Sequence, residues 1–141
     1  PRMEHADYLA FLRQGTVVAL PFPVTSGTTA LETISQGTPL VTYSGSAGYL
    51  LPHYTRAFLE ALLGTELASE CCVAQDPEDY TRKLLHLGTD AAYNERVSRV
   101  LRQNGWKLFG GEAHASVLRD WEMMLREVDR RRERERKRGS T

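Results

Sequence analysis

Hydroxyl side chains flank a glycine in residues 25–29, which read TSGTT. Hydroxyls donate hydrogen bonds to phosphate oxygens, and a glycine lets the backbone approach an anion closely. The segment also leads into a predicted helix, whose first backbone amides have no intrahelical acceptor and attract negative charge. We therefore predict a phosphate-binding loop formed by Ser26, Gly27, Thr28 and Thr29. The simpler alternative is that Ser26 or Thr28 only caps the helix.

A carboxylate lies one helical turn beyond these hydroxyls. Glu32 is four residues after Thr28, so the two side chains project from neighbouring positions on one helix face. A carboxylate in this position can accept hydrogen bonds from ribose hydroxyls, as acids do in dinucleotide sites. The alternative is a solvated helix glutamate. Glu32 is thus a second candidate for contact with a nucleotide.

The segments around these residues predict a βαβ unit. The apolar, nearly uncharged run 16–22 indicates a strand buried on both faces, and a helix over 28–36 follows it and ends at Gly37. A second strand is predicted at 39–43 and a third, weaker one at 71–74. Strands joined through helices pair in parallel, so we expect an α/β fold with these strands adjacent in one sheet and helices on both faces.

Apolar residues at helical spacing predict further helices along the chain. They cover 4–14, 50–63 with a start near Pro52, 77–88, 91–104 and a last helix over about 112–128. Asp76 and Asp90 are predicted N-caps. Trp106 and Trp121 are interpreted as core or lid anchors. We expect residues 1–128 to form one domain and residues 129–141 to be a charged tail that frays into solvent.

The composition excludes several classes of protein. Of 141 residues, 41% are hydrophobic and 26% are charged, which is typical of a globular domain. No apolar run approaches the roughly 20 residues of a membrane span. Residues 126–141 carry 8 Lys/Arg and 4 Asp/Glu, so the tail is basic. Its interleaved glutamates favour a solvated helix end over a surface that binds nucleic acid.

Cysteine and histidine form no metal-ligand pattern. Cys71 and Cys72 are neighbours, and because a bridge between neighbours needs a strained ring, we expect no disulfide. Unpaired cysteines favour a reducing compartment, cytoplasmic or nuclear. The four histidines are scattered at no ligand spacing. The start at Pro1 rather than at Met indicates a piece of a longer protein.

Several segments, in this order and spacing, resemble the C-terminal catalytic region of the family 41 protein O-glycosyltransferases. This family includes the O-GlcNAc transferases and the Spindly-type O-fucosyltransferases. The matching segments include Pro21–Glu32, Gly37–Thr42, Cys71–Ala74, Leu87–Asp90 and a final helix with Trp121 and Met124. The resemblance extends over roughly residues 5–128.

The resemblance implies a glycosyltransferase B fold, in which two Rossmann-like halves face each other and the C-terminal half binds the nucleotide sugar. Thr28 and Thr29 take the positions of the family's paired threonines at the donor diphosphate. Glu32 takes the acidic position at the ribose, which is usually aspartate in O-GlcNAc transferases and glutamate in the Spindly type. The donor that the resemblance implies is UDP-GlcNAc. Gly27 stands where O-GlcNAc transferases carry a histidine, so GDP-fucose is the alternative donor.

The same resemblance implies the partners of the intact protein. Transfer goes to a Ser or Thr hydroxyl of an acceptor protein, without a metal or other cofactor. The N-terminal half of the enzyme, with or without tetratricopeptide repeats, would lie upstream, so this chain alone should not catalyse. The stretch Ser46–Arg56 is longer than the family's loop. That departure, with Gly27, keeps open a non-catalytic interaction domain that retains the fold.

Overall fold

The computed structural model describes residues 3–22, 26–44, 50–111, 115, 118–119, 121–128 and 130, with residues 50–53 described by their backbone. The chain divides into two compact units, residues 1–107 and 108–141. In chain order the elements are α1 (His5–Gln14), β1 (Val18–Ala19), α2 (Gly27–Ser35), β2 (Leu40–Tyr43), α3 (Leu50–Leu63), α4 (Thr65–Cys71), β3 (Val73–Ala74), α5 (Pro77–Thr89), α6 (Ala91–Asn104) and α7 (Trp106–Phe109).

The first unit is mixed α/β, mostly helical, with a small parallel sheet in the order β1-β2-β3. Val18 pairs with Leu40, and Thr42 pairs with Val73. Backbone bonds extend the ladder by one residue beyond each strand, with the amide of Leu20 donating to Val41 at 3.0 Å. The predicted parallel and adjacent arrangement of the three strands is confirmed, although each strand is shorter than the run that predicted it.

The core of this unit surrounds the central strand. Leu40 and Val41 are fully buried, because α2, α3 and α5 all pack on β2. The prediction that the first strand is buried on both faces is wrong: in β1, Val18 is half-buried and Ala19 is exposed. As an edge strand of two residues, β1 lacks the cover that β2 receives.

The segment before β3 departs from the sequence-based expectation. A helix, α4, occupies Thr65–Cys71, where only a strand over 71–74 was expected. Gly64, with φ +78°, separates α4 from α3. Cys71 therefore ends a helix, and only Val73 and Ala74 form the strand.

Cys71 and Cys72 are joined by a disulfide, contrary to the prediction that neighbouring cysteines stay unpaired. Both residues are buried, at 1% and 0% exposure. Their backbones turn from the end of α4 into β3, and this brings the two side chains together.

In the second unit, residues 118–119, 121–128 and 130 are helical, in agreement with the predicted last helix. Its apolar side chains are exposed, however: Trp121 is 56% exposed and Leu125 is also 56% exposed. Trp106, in α7, is 56% exposed as well, so neither tryptophan is a core anchor, and the alternative that they anchor a lid stays a prediction. Among the described helices, none combines the length and apolar character of a membrane span.

Candidate functional site

The predicted phosphate-binding loop lies at the carboxyl end of β1, where the chain enters α2. Ser26 is the N-cap of α2: its extended backbone precedes the helix, and its Oγ accepts a hydrogen bond from the amide of Thr29 at 3.2 Å. The alternative prediction that Ser26 caps the helix is therefore confirmed. Capping satisfies the amide of Thr29 and does not involve those of Gly27 and Thr28. Thr25 lies outside the described residues.

The start of α2 is open to solvent. Ser26 and Thr28 are exposed, while Gly27 and Thr29 are half-buried. A Cβ placed on Gly27 would meet no atom of the described residues within 4 Å. The amides at the first helical positions have no intrahelical acceptor. The open helix start can thus present amides and a threonine hydroxyl to an anion, and phosphate binding here stays a prediction.

Glu32 is not a freely solvated glutamate. Its side chain is 24% exposed, and its Oε1 lies 3.8 Å from Nδ1 of His5 on the neighbouring helix α1. The carboxylate therefore lies on the α1 side of the helix start. Sequence reasoning missed His5, because it is far from Glu32 in the chain and shows no ligand spacing with other residues.

An aromatic cluster lies at the same edge of the sheet, on the side of β2. The ring centroid of Phe22 is 5.0 Å from that of Tyr43 and 5.4 Å from that of Tyr80, the second contact being edge-on. The Tyr80 hydroxyl donates to the carbonyl of Leu20 at 2.7 Å, which ties α5 to the end of β1. Burial raises the pKa of Tyr80, so this hydroxyl stays protonated at neutral pH. Phe22 is nevertheless 44% exposed.

A buried lysine lies beyond the end of β3. The Nζ of Lys83 donates to the carbonyls of Ser69 at 2.6 Å and Val73 at 2.7 Å, and to Oδ2 of Asp79 at 2.8 Å. All three ammonium hydrogens are used, so Lys83 joins α4, β3 and α5 and has no hydrogen left for a ligand. Sequence reasoning did not single it out, since a lysine on a helix is usually solvated.

Asp79 is held as a carboxylate by the same arrangement. Burial alone would raise its pKa, but hydrogen bonds from Lys83 and the Gln75 amide, together with the charges of Lys83 and Arg82, outweigh burial and lower the pKa below its ordinary value. Asp79 thus carries a negative charge at neutral pH, and the lysine at its side compensates that charge.

The opposite, amino edge of the sheet holds a cavity of about 480 Å³. Arg13, Asn94 and Arg102 are among its lining residues. Arg102 forms an ion pair with Glu95 at 2.7 Å, and the C-terminal ends of α1 and α2 bring further partial negative charge. The charge of Arg102 is therefore balanced locally, and the cavity lies away from the predicted loop.

No protein-family model, curated protein or solved structure matches this chain. The described residues contain no group of three or more His, Cys, Asp or Glu that could hold a metal ion.

Proposed function

We propose that this chain is the nucleotide-sugar-binding part of a protein O-glycosyltransferase. In the reaction, a Ser or Thr hydroxyl of an acceptor protein attacks the anomeric carbon of the donor. The bond from that carbon to the diphosphate breaks, the hydroxyl proton passes to a base or to solvent, and the nucleoside diphosphate leaves. Positioning of the donor and stabilisation of the leaving diphosphate supply most of the catalysis in such a step. The other half of the enzyme supplies the acceptor side.

The observation that carries this proposal is the open start of α2 at the carboxyl end of a parallel strand. Ligands of α/β sheets bind at this edge, and a helix start there favours phosphate. The exposed Thr28, the half-buried Thr29 and a Gly27 whose Cβ position has no atom of the described residues within 4 Å suit a diphosphate. Ser26 orders the loop by capping the helix.

Glu32 completes the proposed donor site on the α1 side. Its carboxylate can accept hydrogen bonds from two ribose hydroxyls, and the neighbouring His5 restricts where it lies. A glutamate here, with glycine at position 27, matches the Spindly-type pattern in part, so GDP-fucose is tested beside UDP-GlcNAc. We place the intact protein in the cytoplasm or nucleus. The Cys71–Cys72 disulfide does not argue for a reducing compartment, so this placement rests on the resemblance alone.

The first prediction tests the two threonines. Replacing both Thr28 and Thr29 by alanine removes two hydroxyl hydrogen bonds to a charged acceptor, each worth roughly 1.5–3 kcal/mol. The affinity for the bound nucleotide should fall about a hundredfold or more, since each 1.4 kcal/mol or so is tenfold. The measurement is calorimetric titration of UDP and of GDP into the full chain and into the variant.

A matched control is the double variant Thr65→Ala, Thr81→Ala, which removes two exposed threonines from α4 and α5. Its nucleotide affinity should equal that of the parent. If the parent binds neither UDP nor GDP, the transferase proposal fails. If a nucleotide binds but the Thr28 and Thr29 substitutions leave its affinity unchanged, the diphosphate lies elsewhere.

A non-catalytic interaction domain is the second candidate function. The observation that favours it is the row of exposed apolar side chains on the last helix, which includes Leu118, Trp121 and Leu125. Such rows of large apolar groups are costly in water and commonly mark protein contacts. Failure of both nucleotides to bind would leave this candidate standing.

A further inference from the structure

The two sides of the β1 edge differ in chemistry. On the α1 side, Glu32 lies beside His5 and offers a hydrogen-bond acceptor. On the β2 side, Phe22 lies against Tyr43 and Tyr80 and offers aromatic surface. The start of α2 follows Phe22 in the chain and precedes Glu32, at the carboxyl end of β1. In a nucleotide sugar the diphosphate lies between the ribose and the hexose, so a ligand with its ribose at Glu32 and its diphosphate at this helix start needs a hexose surface at the same edge, where the aromatic rings lie.

We propose that Phe22, Tyr43 and Tyr80 form the surface that holds the hexose ring of the donor. This inference rests on the proposed function, since it places the third part of the same nucleotide sugar. A pyranose has an apolar face of C–H groups, and these groups pack favourably against the electron-rich face of an aromatic ring. Ligand sites combine such apolar surface with a few polar groups that fix orientation.

The packing of Phe22 supports this role. Two tyrosine rings contact it at 5.0 and 5.4 Å, and the hydrogen bond from Tyr80 to Leu20 fixes one of them. A ring held in this way loses little freedom when a ligand covers it. Yet 44% of Phe22 remains exposed, which is surface that the surrounding protein leaves available.

Polar groups for the hexose hydroxyls follow the next two strands at this edge. Ser44 comes directly after β2, is half-buried, and its Oγ donates to the carbonyl of Ala74 at 3.3 Å. Its oxygen can still accept a hydrogen bond from a sugar hydroxyl. Gln75 comes directly after β3 and is exposed. Ser44 and Gln75 therefore supply a hydroxyl and an amide at the same edge of the sheet as the aromatic rings.

The test separates the hexose from the nucleotide. UDP, UDP-GlcNAc, GDP and GDP-fucose are titrated into the full chain and into Phe22→Ala, and saturation-transfer NMR records which ligand protons approach the protein. We expect the hexose protons to receive saturation in the parent. In Phe22→Ala the affinity for UDP-GlcNAc or GDP-fucose should fall about tenfold. The affinity for UDP or GDP should fall less than about twofold.

Phe11→Ala is the matched control, because Phe11 is a 63% exposed phenylalanine on α1. It should leave every affinity unchanged. If Phe22→Ala loses helical circular dichroism, Phe22→Leu replaces it, since leucine keeps apolar bulk and removes the ring. Two results would overturn the hexose surface and leave the proposed function standing. In the first, a sugar nucleotide binds but its hexose protons receive no saturation. In the second, Phe22→Ala loses as much affinity for UDP or GDP as for the sugar nucleotide. If none of the four ligands binds the parent, both proposals fail.

Discussion

Lys83 shows how much a single side chain can hold together. Its ammonium joins the carbonyls of Ser69 and Val73 to the carboxylate of Asp79, and its side chain is 5% exposed. Removing one member of a buried, fully bonded ion pair leaves the other member uncompensated. We expect Lys83→Met to lower the free energy of unfolding by about 3 kcal/mol, measured by urea unfolding followed with circular dichroism.

Arg82→Met is the control for this prediction, because Arg82 contacts the same carboxylate with a side chain that is 67% exposed. The loss should stay below about 1 kcal/mol. Because the folded-state pKa of Asp79 is depressed, its attraction to Lys83 is present above the ordinary carboxyl pKa and lost as the pH falls through the depressed value. The difference between parent and Lys83→Met should therefore shrink in acid. A difference that is independent of pH would contradict this account.

Local chemistry made some residue roles predictable from sequence and left others hidden. Asp76 and Asp90 cap α5 and α6 as predicted, accepting from the amides of Asp79 and Tyr93 at 2.7 and 2.9 Å. A cap depends on residues three apart in the chain. The approach of His5 to Glu32 depends on the packing of α1 against α2. Contacts between residues far apart in the chain cannot be predicted from the pattern of a single sequence.

At the scale of elements, the end of α2 depends on Gly37. Its φ is +72°, a region that side chains with a Cβ rarely adopt, and an added Cβ would clash with Cγ of Arg102. Gly37→Ala should therefore lower the free energy of unfolding by about 1–2 kcal/mol. Thermal unfolding by calorimetry is the measurement.

Gly27→Ala gives the opposite expectation at the other end of the same helix. An added Cβ there meets no atom of the described residues within 4 Å, and alanine favours the helix by about 1 kcal/mol over glycine. The variant should be as stable as the parent or more so. If Gly27→Ala and Gly37→Ala lower the free energy of unfolding equally, the positive φ of Gly37 is not what makes that position sensitive.

The periodicity of apolar residues predicted most, but not all, of the helices and strands. The βαβ succession, the parallel pairing and most helix ends follow from apolar runs bounded by glycine, proline and aspartate. The seven residues of α4 were missed, because a helix of two turns gives too short a periodic pattern and its cysteine end resembles a strand. The exposure of Ala19 was missed as well, since an apolar run does not show which strand lies at the edge.

At the scale of the whole molecule, the buried apolar side chains of the described residues all fall between Leu12 and Leu101. A chain that ends at Lys107 should therefore keep a single cooperative unfolding transition. Its midpoint should lie within about 4 °C of the parent, which corresponds to less than about 1 kcal/mol for a domain of this size. Differential scanning calorimetry is the measurement.

A chain that ends at Asp90 is the control, because it lacks the buried Val97 and Leu101 of α6. It should not show the transition. If the chain ending at Lys107 also loses it, residues 108–141 are required for the stability of the first unit. The division at residue 107 would then not mark an independent folding unit.

The Cys71–Cys72 disulfide has a practical consequence for the biochemist. Trypsin cuts after Arg56 and next after Arg82, so both sulfurs leave in one peptide, residues 57–82. Reduction releases no second fragment. Because the disulfide joins adjacent residues, its reduction opens no long loop, and migration on a gel does not change. The bridge is visible only as a peptide lighter by two hydrogen atoms, and as a failure of that peptide to take up an alkylating reagent before reduction. Electrophoresis alone would report this protein as having no disulfide.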